Sequence, residues 1–122
     1  MTSKVTIATT TSTELGWQAA ASSNWRWRSG TKFINPQNRS TGRYEEGEVP
    51  LRSMYGCVPD LNDDATRGCL LMLCREAWGD PGLAVIGYFR GGVFGWKAVG
   101  NCDDDTFYPT EAAALVATLK NG

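Results

Sequence analysis

The segment at residues 42–48, GRYEEGE, brings a phenol and several carboxylates close together along the chain. On a strand through this segment, alternate side chains point to one face, so Tyr44 and Glu46 share a face. Gly47 permits a bend, after which Glu48 can turn back toward Tyr44. A carboxylate beside a phenol at such a corner can accept charge-assisted hydrogen bonds from a ligand ammonium group. We therefore expect a binding site here, built on Tyr44 and either Glu48 or Glu46.

A plainer interpretation of the same segment is an edge strand whose charges oppose aggregation. In that case Glu45, on the opposite face of the strand, and its acidic neighbours are all simply solvated. The residues alone favour neither interpretation over the other.

The chain contains no histidine, which excludes Ser-His-Asp triads, Cys-His dyads and nearly every mixed zinc site. The four cysteines, Cys57, Cys69, Cys74 and Cys102, match neither paired C-x-x-C spacing nor a dense disulfide scaffold, which predicts structural free thiols. Cys69 and Cys74 lie in an apolar helical pattern, and we expect both to be buried. Chemistry in this chain would therefore depend on carboxylates, Tyr, Lys, Arg or positioning, with no metal or cofactor.

A length of 122 residues predicts one domain over residues 1–122. The net charge of −1 gives no overall electrostatic attraction for nucleic acid or an anionic membrane. The run WRWR at residues 25–28 has the composition of a single-strand nucleic-acid platform. Its position at the end of a predicted helix favours packing instead, so we expect no nucleic-acid partner.

Neither a signal peptide nor an apolar run of the ~18 residues that span a membrane is present in the sequence. These features predict a soluble, cytoplasmic protein with no membrane partner.

Two further segments are predicted to be turns and not binding sites. The run CDDD at residues 102–105 lacks the spacing and the glycine of a calcium loop, which predicts a solvated turn. The glycines of residues 87–95 match no phosphate-binding motif and predict a hairpin turn at Gly91-Gly92.

Hydrophobic periodicity and turn residues predict the order β-α-β-β-α-β-β-α. The predicted strands cover residues 4–10, 42–46, 51–57, 82–89 and 91–100, with a further short strand possible at 31–34. The predicted helices cover residues 12–25, 65–79 and 110–120, with N-caps at Ser12 or Thr13, at Asp63 or Asp64, and at Thr110. Residues 82–89, apolar on both faces, predict a central strand. The order predicts an α+β fold of ferredoxin-like type, one antiparallel sheet with helices on one face.

Between residues 40 and 100 the chain resembles the small bacteriophage S-adenosylmethionine lyases, formerly called hydrolases. The shared pattern is Thr-Gly-x-Tyr followed by glutamates, then a strand, then a helix ending in Glu-x-Trp, then an apolar strand and a glycine-rich hairpin ending FGWKAVG. The first forty residues match this family in element order alone.

The resemblance implies an enzyme without a cofactor. The carboxylate of S-adenosylmethionine attacks the substrate's own γ-carbon and gives 5′-methylthioadenosine and L-homoserine lactone, a reaction that in a phage depletes the host methyl donor and counters restriction. The family also implies a homotrimer with sites between subunits and a fold resembling the trimeric nitrogen-regulatory signal proteins.

By the same resemblance, Glu48 binds the substrate ammonium and Tyr44 lies beside it, with Glu46 as the alternative glutamate. Arg52 and Ser53 are weaker candidates for substrate contacts. Trp or Phe rings would stack on the adenine or face the sulfonium. The competing expectations are a non-catalytic phage inhibitor that binds a host protein and, less favoured, a single-strand nucleic-acid binder.

Overall fold

The computed structural model describes residues 11–23, 28–35, 41–43, 57–102 and 105–122, and in these parts the chain forms three helices and five strands. The helices are α1 (Ser12–Ser22), α2 (Asp64–Trp78) and α3 (Glu111–Lys120). The strands are β1 (Lys32–Ile34), β2 (Thr41–Arg43), β3 (Val58–Pro59), β4 (Ala84–Arg90) and β5 (Val93–Val99). Every described strand pairing is antiparallel, which confirms the predicted α+β class.

The second and third helices begin at predicted capping residues, and the second also ends at its predicted glycine. The Asp63 side chain accepts from the Thr66 N–H at 3.0 Å, and Gly79 ends α2 in the left-handed region at φ 60°. The Thr110 hydroxyl accepts from the Ala113 N–H at 3.1 Å and begins α3.

The first helix begins one residue earlier than predicted. Thr11 is its N-cap, since its hydroxyl accepts from the Glu14 N–H at 3.1 Å, and Ser12 is already helical. The prediction of Ser12 or Thr13 was therefore wrong, because each of three consecutive hydroxyl residues satisfies the same local preference.

Strands β4 and β5 form the predicted hairpin, with seven facing pairs from Ala84↔Val99 to Arg90↔Val93. Gly91 and Gly92 make the turn at φ 60° and 83°, a region that favours glycine.

The described strands lie in two sheets, not in the single sheet that was predicted. One sheet has the order β2-β1-β3 and the other is the β4-β5 hairpin. The predicted strand at residues 4–10 lies outside the described residues, as do residues 44–46 and 51–56 of two others.

The prediction of a central strand at residues 82–89 is not confirmed. Among the described residues, strand β4 pairs with β5 alone, and the side chains of Ile86 and Phe89 are exposed. An apolar run identifies a strand but does not reveal whether a neighbour covers it.

The three helices and the base of the hairpin share one core. Ala98 and Leu83 are buried in it, and Val85 packs against it. Since Val85 and Ala98 face each other across the hairpin, the side of the hairpin that carries them is the helix-facing side.

Candidate functional site

All five residues that the sequence singled out lie outside the described residues: Tyr44, Glu46, Glu48, Arg52 and Ser53. Strand β2 ends at Arg43, directly before Tyr44. Arg43 faces Lys32, whose N–H donates to the Thr66 hydroxyl at 2.7 Å in the first turn of α2.

A groove of about 270 Å³ lies between the N-terminal halves of α2 and α3 and strand β4. Its lining combines charged and apolar side chains: Asp64, Arg67, Gly68, Leu71, Val85, Glu111 and Leu115. The apolar members, Leu71, Val85 and Leu115, can receive an apolar group, which makes the groove a candidate binding site.

Arg67 occupies the charged part of this groove and connects the two helices. Its Nε donates to Glu111 at 2.8 Å, and one terminal nitrogen donates to the Leu61 carbonyl at 2.8 Å. The other terminal nitrogen forms an ion pair with Asp64. Because the guanidinium is already engaged in three directions, it is better suited to hold the groove open than to bind an anion.

The tip of the hairpin carries an aromatic face, which we define as Phe89, Phe94 and Trp96 on the helix-facing side. The rings of Phe89 and Phe94 meet edge to face at 5.2 Å, and those of Phe94 and Trp96 at 5.7 Å. Phe89 is 71% exposed and Phe94 is 47% exposed, so the face extends beyond the cover of the helices. Exposed rings held by their neighbours can stack on a planar ligand or bind an apolar protein surface.

Gly87 leaves the space that the rings of Phe94 and Trp96 occupy beside the strand. A Cβ at this position would meet Phe94 Cζ at 2.7 Å and Trp96 Cζ3 at 3.1 Å. The aromatic face therefore depends on a residue without a side chain opposite Trp96.

The opposite side of the hairpin tip is covered by the segment at residues 105–108. Phe107 packs on Tyr88 with ring centroids 5.2 Å apart, and the Arg90 guanidinium lies 4.9 Å from the Phe107 ring. Lys97 Nζ donates to Asp105 at 2.8 Å. This hydrogen bond lowers the pKa of Asp105 and raises the pKa of Lys97. The ion pair is thus present at neutral pH and is lost as the pH falls through the lowered pKa.

The predicted solvated turn at residues 102–105 is described at its two ends. Cys102 is buried and Asp105 is exposed, while residues 103 and 104 lie outside the described part. Among the described residues, no group of three or more His, Cys, Asp or Glu side chains could hold a metal ion.

The basic run at residues 25–28 is described only at Arg28, which forms an ion pair with Glu76 of α2. An arginine engaged with a helix carboxylate is less available for a phosphate.

The four cysteines are free thiols, as predicted. Cys57, Cys74 and Cys102 are buried. The predicted burial of Cys69 was wrong: this thiol is half-buried, because it lies outside the core cluster with its Sγ 3.5 Å from the Ser29 carbonyl. Burial raises the pKa of Cys74 to about 12, so this thiol stays protonated and unreactive at neutral pH.

Sequence reasoning missed both the groove and the exposure of the aromatic face. A local signal for the second was present, because strand glycines at Gly87 and Gly95 stand opposite aromatic residues at Trp96 and Tyr88. The groove had no local signal, since Arg67 and Glu111 are 44 residues apart in sequence.

None of the described helices has the length and apolar character of a membrane span. Comparison of the chain with protein-family models, with curated proteins and with solved structures finds no match in any of the three.

Proposed function

We propose that this chain is an S-adenosylmethionine lyase that counters host restriction for a phage. The observation that carries the proposal is the spacing of Tyr44, Glu46 and Glu48 after Gly42, within a longer pattern that resembles this enzyme family. The described order β2, β3, α2, β4 and β5 is compatible with that pattern.

In the proposed reaction, the substrate carboxylate forms a bond to its own γ-carbon while the bond from that carbon to the sulfonium breaks. The bonding electron pair stays on sulfur, and the products are 5′-methylthioadenosine and L-homoserine lactone. The sulfonium is already a good leaving group, so the protein has only to hold the reactive conformer and exclude water. This requirement suits a chain without histidine.

Glu48 is the proposed ligand of the substrate ammonium, with Tyr44 beside it and Glu46 as the alternative carboxylate. Arg52 and Ser53 are proposed to contact the substrate on the next segment. The aromatic face supplies exposed rings on which an adenine could stack.

The assembly and location are part of the same proposal. We infer a homotrimer with sites between subunits, a ferredoxin-like arrangement resembling the nitrogen-regulatory signal proteins, and action in the host cytoplasm. Such an arrangement requires the two described sheets to belong to one sheet.

Incubation of the purified chain with S-adenosylmethionine, followed by chromatography of the nucleotides, tests the activity. We expect 5′-methylthioadenosine from the native chain and its loss in Glu48→Gln, which keeps the size of the side chain and removes its charge. Glu45→Gln is the matched control and should leave the rate unchanged. Equal rates in the native chain, Glu48→Gln and Glu46→Gln would show that the site is assigned to the wrong residues.

A second candidate function is a non-catalytic inhibitor that binds a host protein. The observation that favours it is the aromatic face, because exposed contiguous rings on a soluble domain commonly mark a protein-binding surface. This function predicts no turnover of S-adenosylmethionine and a stable complex in a bacterial lysate, so the product analysis distinguishes the two candidates.

A further inference from the structure

Within the described residues, the outer edge of strand β4 presents unpaired backbone groups. Trp96 N–H and C=O both bond to Tyr108 at 2.8 Å, so they point away from β4. Gly87 faces Trp96, and its own N–H and C=O must therefore point away from β5. Because the direction alternates along an antiparallel strand, the same holds for Val85 and Phe89.

No hydrogen bond satisfies these groups within the part of the chain that the structure describes. The recorded pairing of β4 is confined to β5, and none of the remaining backbone hydrogen bonds involves Val85, Gly87 or Phe89. The edge also lacks the features that usually block pairing, since AVIGYFR contains no proline and no charge before Arg90. Strand β4 is therefore a template for another strand.

We propose that β4 pairs antiparallel with β4 of a second copy of this chain, about a two-fold axis at Gly87. In this register Gly87 faces Gly87, and Val85 of each copy faces Phe89 of the other. All three facing pairs use the outward N–H and C=O groups, and each pair exchanges two hydrogen bonds. The two hairpins then form one four-stranded sheet.

The side chains favour a second copy over an unrelated strand. Facing residues project to the same side of a sheet, so Phe89 of one copy meets Val85 of the other on the helix-facing side. Val85 is also part of the groove floor with Leu71 and Leu115. The most exposed ring of the hairpin is thereby placed at the apolar part of the groove in the other copy, and the two-fold axis makes the contact twice.

The residue at the axis supports the same register. Phe94 and Trp96 already lie over Gly87, and a side chain there would collide with them. With glycine at the centre, two strands can approach with no side chain between the axis and either aromatic face.

Light scattering on the purified full chain, coupled to size exclusion, tests the pairing. The chain mass is 13.3 kDa, and we expect particles of twice that mass. Phe89→Lys places a charge on the edge and should reduce the mass to that of a single chain. The matched control is Val93→Lys, because Val93 is 62% exposed on β5 and does not lie on the edge. This variant should keep the native mass.

Hydrogen exchange provides the second measurement and shows whether the variant is folded. The amides of Val85, Gly87 and Phe89 should be protected in the native chain and exchange at least tenfold faster in Phe89→Lys. The amides of Ile86 and Tyr88, which bond within the hairpin, should stay protected in both.

Each possible particle mass either supports or overturns the β4 pairing. A dimer supports the pairing and contradicts the proposed trimer, while a hexamer that Phe89→Lys reduces to trimers supports both. A native monomer, a trimer, or a dimer that Phe89→Lys leaves intact overturns the pairing. Protected edge amides in a monomer would mean that another strand of the same chain occupies the edge, and they also overturn it. The production of 5′-methylthioadenosine is measured separately, so failure of one proposal leaves the other open.

Discussion

The contacts of Arg67 show that the role of a single side chain cannot be inferred from its neighbours in sequence. Arg67 connects α2 to α3 through Glu111 and also holds the Leu61 carbonyl, which places it at the junction of three segments. A helical periodicity predicts that residue 67 lies on a helix but not which carboxylate it meets. The partner depends on how α3 returns to the core.

The cysteines give a prediction at the residue scale. At pH 8 the thiol reagent DTNB should react rapidly with one thiol for each chain, that of half-buried Cys69. Cys57 and Cys74 should react only on unfolding, since burial raises the pKa of each thiol. The release of thionitrobenzoate measures the reaction.

Cys69→Ser is the control for this assignment and should abolish the rapid phase. Rapid reaction of two or more thiols, or a rapid phase that persists in Cys69→Ser, would contradict the burial of the other three.

The ends of the elements were largely predictable, because a cap depends on residues within one turn. Gly79 and Thr110 act where the sequence placed them, and Asp63 is one of the two N-cap candidates that the sequence offered. The turn of the hairpin was predictable for the same reason, since Gly91 and Gly92 adopt the positive φ values that such a turn requires.

Two glycines give a prediction at the scale of the element. Gly95→Ala should destabilise the protein by about 1–3 kcal/mol, because its Cβ would meet Phe107 Cε2 at 2.5 Å. Gly68→Ala should stabilise it by about 0.5–1 kcal/mol, because Gly68 lies in α2 with nothing within 4 Å of a new Cβ. Urea unfolding followed by circular dichroism measures both changes.

The two substitutions are chemically identical, so the test is whether they change the free energy of unfolding in opposite directions. Destabilisation in both variants would mean that α2 has no room beside Gly68, and stability changes near zero in both would mean that Phe107 does not pack on Gly95.

At the scale of the whole molecule, α1, α2, α3 and the base of the hairpin share a single core. Leu83 is completely buried where the chain enters β4, so Leu83→Ala should lower the free energy of unfolding by about 2–5 kcal/mol. Met72→Ala is the control, because Met72 is 44% exposed on α2 and should change stability by less than about 1 kcal/mol.

Cooperativity can be read in the same experiment. Tryptophan fluorescence and circular dichroism should report one coincident transition in the native chain, as expected when helices and hairpin share a core. Two separated transitions would show that the hairpin unfolds independently of the helices.

The sequence by itself determined the α+β class, the helices α2 and α3 with their caps, and the β4-β5 hairpin, because propensity, capping and turn chemistry act over a few residues. Tertiary structure alone decided that the described strands form two sheets, that Arg67 meets Glu111, and that Phe89 stays exposed while Leu83 is buried. Both Leu83, directly before β4, and Phe89, near the end of β4, are apolar residues of one predicted strand. What separates them is which neighbour reaches each one, and that depends on contacts between residues far apart in the chain.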